Sequence, residues 1–258
     1  MLIVAAVLGL LIGLIVGGIG GGGAILALPV LVYVLGDPIG PASTASLVVV
    51  AVAAGVGAGA VAARGQVCWR LALTFSAPAA AGALLGALAN TAVSARLLLL
   101  SFIPVMLVAA GATWARAGAG EPDADRGCPD PPTERIVAAG LSVGLLTGFF
   151  GVGGGFVIVP VLTLMMGVGF RRAVATSLVI ITLTGTVALV SHLAAGATIS
   201  ADVTAALAVP TALGAFAGTI FSQRVPQALL GRLFAIVVAS VACLLLVDAL
   251  LLGGPPGR

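Results

Sequence analysis

The sequence predicts an all-α polytopic membrane protein made of two homologous halves, and two observations carry this prediction. Of the 258 residues, 61% are hydrophobic and only 7% are charged, which leaves too little polar surface for a water-soluble domain of this size. A Gly-rich cassette, G-x-x-x-G-x-x-x-G-x-x-G-x-G-G, runs from Gly9 to Gly23 and recurs from Gly140 to Gly154. A repeat this long indicates two fused halves rather than a chain of small repeats.

Long apolar stretches supply the predicted helices, because about 20 residues of helix cross ~30 Å of hydrocarbon. We read the first stretch as a span of the mature protein, since no basic segment precedes it. The stretches cover residues 2–19, 42–63, 71–89, 97–115, 136–150, 173–195, 203–222 and 233–252. Each half is therefore expected to contain four long helices.

A short apolar segment, 24–35 or 155–167, follows each cassette and would span only ~18 Å as a helix. Between the halves lies the one clearly polar stretch, rich in proline and acidic residues, which suits an exposed connection. We divide the chain into a first membrane repeat at 1–115, a polar linker at 116–135 and a second membrane repeat at 136–258.

Arginine placement indicates how often each half crosses the membrane. If the short segments do not cross, six arginines face one side and five the other; if they return the chain to its starting side, nine face one side and only Arg96 and Arg258 the other. The positive-inside rule favours the second arrangement. It gives ten membrane segments, a cytoplasmic linker, both termini outside the cytoplasm and halves related as inverted repeats. Eight full helices with two re-entrant pieces are the alternative.

The glycines that end each cassette are the first candidate binding feature. Each Gly costs roughly 1 kcal/mol relative to Ala in a helix, so these runs predict a break whose backbone groups face protein or water. Amides at the start of the following segment would point at the break and favour an anion. The candidate substrate-binding glycines are Gly20, Gly22 and Gly23 in the first half and Gly151, Gly153, Gly154 and Gly155 in the second.

The alternative role of a glycine is to allow close helix packing. We favour that role for the earlier positions of both cassettes, which are Gly9, Gly13, Gly17, Gly140, Gly144 and Gly148. We expect bulky residues at Gly22 or Gly153 to block transport, and we expect Gly13→Ala to be milder.

Hydroxyl residues follow the short segments in both halves. They are Ser43, Thr44 and Ser46 in the first half and Thr176 and Ser177 in the second. A hydroxyl can donate to an oxyanion without the cost of burying a cation, so these residues are candidate substrate ligands. The alternative is that these hydroxyls cap a helix or bond to a backbone carbonyl instead of binding substrate.

His192 is the only histidine and lies in an otherwise apolar stretch. Because histidine exchanges protons near neutral pH, His192 is the candidate for coupling proton movement to transport. An interfacial position near a helix end is the alternative. For Arg171 and Arg172 we expect a role in anchoring the cytoplasmic end of a helix.

The chain offers little for catalysis or cofactor binding. Cys68, Cys128 and Cys243 stand alone without C-x-x-C spacing, so we expect neither a disulfide nor a metal site. No zinc-protease or nucleotide-binding motif occurs. We expect no enzymatic activity and no cofactor. The expected partners are a small anionic substrate and the lipid bilayer, with no nucleic acid, and self-association into a homo-oligomer is left open.

Together these residues resemble the TauE/SafE family of membrane permeases, also called the sulfite exporter family. The likeness lies in the doubled cassette with Gly151-x-Gly153-Gly154-Gly155-Phe156 and Pro160, in Ala173-x-x-Thr176-Ser177 and in His192 with Gly196. The first half departs at Ala24 and Ala45, which stand where the second half has Gly155 and Thr176. The resemblance implies a permease of the bacterial inner membrane for sulfite, sulfonates or related sulfur oxyanions. An anion channel and a non-transporting membrane scaffold are the alternatives.

Overall fold

The computed structural model is all-helical over the part of the chain that it describes. It describes residues 2–20, 26–27, 30–34, 39–90, 95–118, 127–150, 155–194, 196 and 201–247. Nine α-helices lie in these ranges: α1 (Leu2–Ile19), α2 (Ile39–Ala62), α3 (Trp69–Asn90), α4 (Ala95–Gly118), α5 (Thr133–Phe150), α6 (Gly155–Leu164), α7 (Phe170–Ala194), α8 (Ala201–Ser222) and α9 (Gln227–Val247). A π-helical turn at Val30–Val34 precedes α2. No strand occurs in these ranges, and the predicted all-α class is confirmed.

Helix length and composition are those of a multi-pass membrane protein. Six described helices, α2, α3, α5, α7, α8 and α9, are long and apolar enough to cross a bilayer. By contrast, α6 has 10 residues and extends only ~15 Å, about half the hydrocarbon thickness. The short segment predicted after the second cassette is therefore present, and it begins at Gly155 as expected.

Helix spacing reproduces the duplication seen in the sequence. The starts of α1 and α5, Leu2 and Thr133, are 131 positions apart, and both helices have 18 residues. The starts of α2 and α7, Ile39 and Phe170, are also 131 positions apart. From α3 and α8 onward the spacing is 132, so the second half carries one extra residue before α8. Both halves thus present their helices in the same order, while the division at 116–135 stays a prediction.

Glycines bring helices of opposite halves into backbone contact. On α1, a Cβ added at Gly13 would overlap the carbonyl oxygen of Thr211 on α8. In the second half, a Cβ at Gly144 on α5 would overlap the carbonyl oxygen of Ala79 on α3. The same kind of backbone clash would occur at Gly9, Gly17, Gly82, Gly86, Gly140, Gly148, Gly214 and Gly218. The packing role predicted for the early cassette glycines is confirmed.

This packing bears on the expectation for Gly13→Ala. A milder effect on transport than at Gly22 or Gly153 stays a prediction, but the atom that the new methyl group would strike belongs to the backbone of α8. A backbone carbonyl cannot rotate away as a flexible side chain does, so α1 and α8 would have to separate.

Contact registers give the relative directions of the helices. Gly9 and Gly17 of α1 lie beside Leu207 and Ala215 of α8, so these two helices run in the same direction. α3 and α5 also run in the same direction, with Phe75 beside Gly140 and Ala83 beside Gly148. α2 and α7 run in opposite directions, because Thr44 meets His192 whereas Gly57 meets Leu178. The inverted relation of the two halves stays a prediction.

One end of the bundle gathers the arginines, and we call it the basic end. The turns after α2 and α8 meet there, where Arg64 donates to the carbonyl oxygen of Thr219 (3.5 Å) and the Gln66 and Gln223 amides bond each other. All arginines with described side chains lie at this end: Arg64, Arg70, Arg116, Arg135, Arg171, Arg172, Arg224 and Arg232. This clustering is what the ten-segment arrangement requires, and the compartment that the basic end faces stays a prediction.

The basic end also contains a disulfide that the sequence analysis did not expect. Cys68, next to the start of α3, is bonded to Cys128 in the linker, and their Cα atoms are 5.5 Å apart. The expectation of unpaired cysteines is therefore wrong for these two, and Cys243 is free. The two cysteines are 60 residues apart, and no local spacing signals a pair that forms only when the linker folds back onto the turn.

Candidate functional site

The first cassette contacts the second half of the protein at Gly20. Gly20 follows α1 with a φ of 74°, and its amide donates to the Val16 carbonyl oxygen at 2.9 Å. A Cβ added at Gly20 would lie 2.9 Å from the Ser177 hydroxyl oxygen on α7 and 3.1 Å from a methyl group of Val159 on α6. Both the positive φ and the close contact require glycine here. We call the contact of Gly20, Ser177 and Val159 the glycine junction.

The two candidate hydroxyls of the second half are fully buried beside this junction. The Thr176 hydroxyl oxygen accepts a hydrogen bond from the Cys68 amide at 3.2 Å. The Ser177 hydroxyl donates to the Val174 carbonyl oxygen one turn earlier, at 2.8 Å. Ser177 thus makes the backbone bond that the sequence analysis named as the alternative. Its oxygen nevertheless faces Gly20 across the gap between α1 and α7.

The short helix α6 lies in the protein core. Gly155, its first residue, is buried, as are most of the residues that follow. Val159, one turn later, belongs to the glycine junction. The first turn of a helix has amides without intrahelical acceptors and carries partial positive charge. In α6 the residues of this turn are buried in protein, and they directly precede Val159 of the glycine junction.

A second group of candidate residues lies at the other end of α7. The Thr44 hydroxyl of α2, which is 1% exposed, lies 3.2 Å from Nδ1 of His192. Ser46, half-buried, follows two residues after Thr44 on α2. His192 is 15 positions after Ser177 on the same helix, a separation of about 22 Å along its axis. The structure therefore divides the predicted site into the glycine junction and the Thr44–His192 pair.

Several predicted site residues lie outside the described residues. They are Gly22, Gly23, Gly151, Gly153 and Gly154. Ser43 is part of α2, but its side chain is also outside the description. Their roles stay predictions.

Charge is confined to one end of the described structure. Every charged side chain in the described part of the chain lies at the basic end, including Asp130 and Glu134 near the start of α5. The described interior offers hydroxyls and backbone groups instead. Within the described ranges, no three His, Cys, Asp or Glu side chains come together as a metal site.

Sequence analysis missed one buried hydroxyl, that of Thr204 near the start of α8. Thr204 is 5% exposed, and its hydroxyl has no hydrogen-bond partner in the part of the chain that the structure describes. Thr211 follows it two turns later, and its hydroxyl bonds the Leu207 carbonyl oxygen at 2.6 Å. The seven-residue spacing of the two threonines was the available signal that both lie on one helix face.

The apolar helices, the short core helix α6 and the buried polar groups define the class: a multi-pass α-helical membrane protein. Comparison with known proteins gives the family. Residues 5–245 match the model of the family described as Sulfite exporter TauE/SafE, and the chain belongs to this family.

Curated relatives carry the names of transporters. A probable membrane transporter protein of Xylella fastidiosa strain 9a5c is 33% identical over 253 residues, which is 93% of each chain. Its counterpart in strain Temecula1 is 32% identical over 249 residues, again 93% of each chain. A probable membrane transporter protein of Methanocaldococcus jannaschii is 44% identical over 62 residues, 24% of this chain and 23% of its own. No solved structure matches significantly. Family and relatives make this chain a membrane transporter.

Proposed function

We propose that this protein is a secondary transporter that moves a small anion across the bacterial inner membrane. The anion is sulfite, a sulfonate or a related sulfur oxyanion, and the protein does not transform it chemically. The family description supports the substrate class. The charge-free described interior supports weak recognition through dipoles, because binding without a buried cation permits release on the far side.

The observation that carries this proposal is the glycine junction. There Gly20 of the first cassette meets the buried Ser177 hydroxyl and the core helix α6, both from the other half. Because Gly20 has no side chain, its backbone lies directly against the Ser177 hydroxyl, and an anion would reach this point when α1 and α7 move apart. An oxyanion at this point would accept hydrogen bonds from the Ser177 hydroxyl, once it leaves Val174, and from amides of the first turn of α6.

We further propose that the halves are inverted repeats that alternate access to this point. The parallel packing of α1 with α8 and of α3 with α5, and the antiparallel packing of α2 with α7, support this arrangement. In transporters of this plan, substrate lies near the midplane at broken helices, and one body rocks against the other.

The Thr44–His192 pair is the proposed coupling site for protons. This pair joins α2 of the first half to α7 of the second. A change in its hydrogen bond would therefore change a contact between the two halves. We expect His192→Asn to abolish stimulation of flux by an imposed pH gradient and to leave flux down the anion gradient intact. The neighbouring variant Ser191→Ala is the control, because its hydroxyl only bonds Val187 on the same helix. An undiminished response to the pH gradient in His192→Asn would remove this part of the proposal.

The proposed function is tested by flux in liposomes that contain the purified protein. A panel of sulfite, sulfate, taurine, an alkyl sulfonate and acetate separates sulfur oxyanions from carboxylates. We expect saturable flux of at least one sulfur oxyanion and competition by its chemical relatives. Ohmic conductance without saturation would identify a channel, and the absence of flux for every anion would reject the proposal.

A further inference from the structure

The disulfide fastens the linker between the two halves to the bundle. Cys68 lies in the turn between α2 and α3, and Cys128 lies in the linker just before α5. An ion pair between Arg70 and Asp130 spans the same two segments, but their side chains are 57% and 74% exposed. An exposed ion pair contributes little and is screened by salt. The covalent bond is therefore the stronger of these two links between the linker and α3.

The two sulfur atoms differ in their accessibility. Cys68 is 2% exposed, whereas Cys128 is exposed to solvent. A thiol arriving from water reaches the Cys128 sulfur, and the Cys68 sulfur is then the leaving group. The guanidinium of Arg172 lies 3.9 Å from the Cys128 sulfur, where its positive charge stabilises a thiolate.

Both cysteines contact the helix that carries the glycine junction. The Cys68 amide donates to Thr176 on α7, the residue before Ser177. Arg172, which contacts Cys128, is also on α7, one turn before Thr176. The disulfide thus joins the turn before α3 to the linker, and the first turns of α7 contact both of its cysteines beside the proposed site.

The position of this bond at the basic end is chemically informative. By the positive-inside rule, we expect an end that gathers eight arginines to face the cytoplasm. The cytoplasm keeps thiols reduced, and disulfides found there are mostly transient, catalytic or redox-sensing. A cysteine pair held close together, with one sulfur exposed, suits such a reversible bond.

We propose that Cys68 and Cys128 form a thiol–disulfide switch that responds to small-molecule thiols of the glutathione class. The thiolate of one such molecule attacks the Cys128 sulfur, the S–S bond breaks, and its electron pair leaves on Cys68, which takes up a proton. A second thiolate then attacks the small molecule's sulfur in the mixed disulfide and releases Cys128 as a thiolate, which takes up a proton from water. The protein gains two electrons, and two thiols become one small disulfide.

The effect of the switch rests on the proposed transport function. The closed bond ties the turn before α3, in the first half, to the linker just before α5, in the second half, and so opposes the movement of the halves that alternating access needs. Reduction removes this restraint. We expect flux to rise severalfold when the bond opens.

The first test measures the bond itself. The purified protein in liposomes is equilibrated at graded ratios of reduced to oxidised glutathione, its thiols are alkylated, and peptides are identified by mass spectrometry. We expect Cys68 and Cys128 to change together from bonded to free within the cytoplasmic range of ratios. The isolated Cys243 reports alkylation of an unpaired thiol throughout. A pair that stays bonded, or stays free, across the whole range would overturn the proposal.

The second test measures flux in the oxidised and reduced states, with Cys128→Ser as the matched variant. We expect slow flux in the oxidised wild type, faster flux after reduction, and fast flux in Cys128→Ser under both conditions. Equal wild-type flux in both states would overturn the regulatory role. Absence of flux in both proteins and both states would reject the proposed transport function, whereas the thiol titration would still decide the redox site.

Discussion

Single hydroxyl groups at the glycine junction combine structural and proposed ligand roles. Thr176 supplies the acceptor for the buried Cys68 amide, whereas Ser177 only bonds its own helix. The two side chains are neighbours in sequence and equally buried. Replacing them should nevertheless have different consequences for stability. Without the Thr176 hydroxyl, the buried Cys68 amide has no acceptor, and water cannot take its place there.

We predict that Thr176→Val lowers the free energy of unfolding by about 1–3 kcal/mol, the typical cost of leaving a buried donor unpaired. Thr176→Ser retains the hydroxyl acceptor for the Cys68 amide and should stay close to the wild type. Thermal unfolding in detergent, followed by intrinsic fluorescence, measures both variants. Equal melting temperatures for Thr176→Val and Thr176→Ser would show that the bond to Cys68 contributes nothing.

At the scale of helices, the tightest contacts join elements of different halves. Glycines place α1 directly on α8 and α3 directly on α5. Each of these pairs combines one helix from each half, so the halves cannot fold as two independent domains with a simple interface.

We predict that Gly13→Ala and Gly144→Ala reduce the melting temperature and the yield of folded protein, since each new methyl group strikes a backbone carbonyl. Gly59→Ala and Gly111→Ala are matched controls, because both positions are helical and have no atom within 4 Å of an added Cβ. They should be neutral or slightly stabilising, given the higher helix propensity of alanine. Similar losses in all four variants, by size-exclusion profile and unfolding, would contradict this assignment of the packing surfaces.

At the scale of the whole molecule, local features could be predicted from the sequence, whereas pairings between distant residues could not. The start of α6 at Gly155 and its shortness followed from the glycine run, because poor helix propensity is a local property. The clustering of arginines at one end followed from assigning five membrane passes to each half. The Cys68–Cys128 bond and the contact of Thr44 with His192 did not follow, since 60 and 148 positions separate the partners. Such pairings are decided by how the helices assemble.

We predict that the basic end faces the cytoplasm. In a background without native cysteines, Gly127→Cys in the linker and Arg258→Cys at the C-terminus are labelled with a membrane-impermeant maleimide. Position 127 is exposed, and an added Cβ there meets no atom within 4 Å. Arg258→Cys should react in intact cells, and Gly127→Cys only after the membrane is opened. Reaction of both on the same side would restore the eight-crossing alternative.

The central claim is that the anion passes the glycine junction, and Ser177 offers its most direct test. The measurement is the concentration dependence of anion flux in liposomes for Ser177→Ala. Its control is Thr186→Val, which removes an exposed hydroxyl that bonds the Thr182 carbonyl oxygen on the same helix.

A lost neutral hydrogen bond costs ~0.5–1.5 kcal/mol, so we predict an apparent affinity about 2- to 10-fold weaker for Ser177→Ala. Thr186→Val should match the wild type, and both variants should fold and insert normally. An apparent affinity of Ser177→Ala equal to that of the wild type would contradict the claim that the substrate binds at this junction.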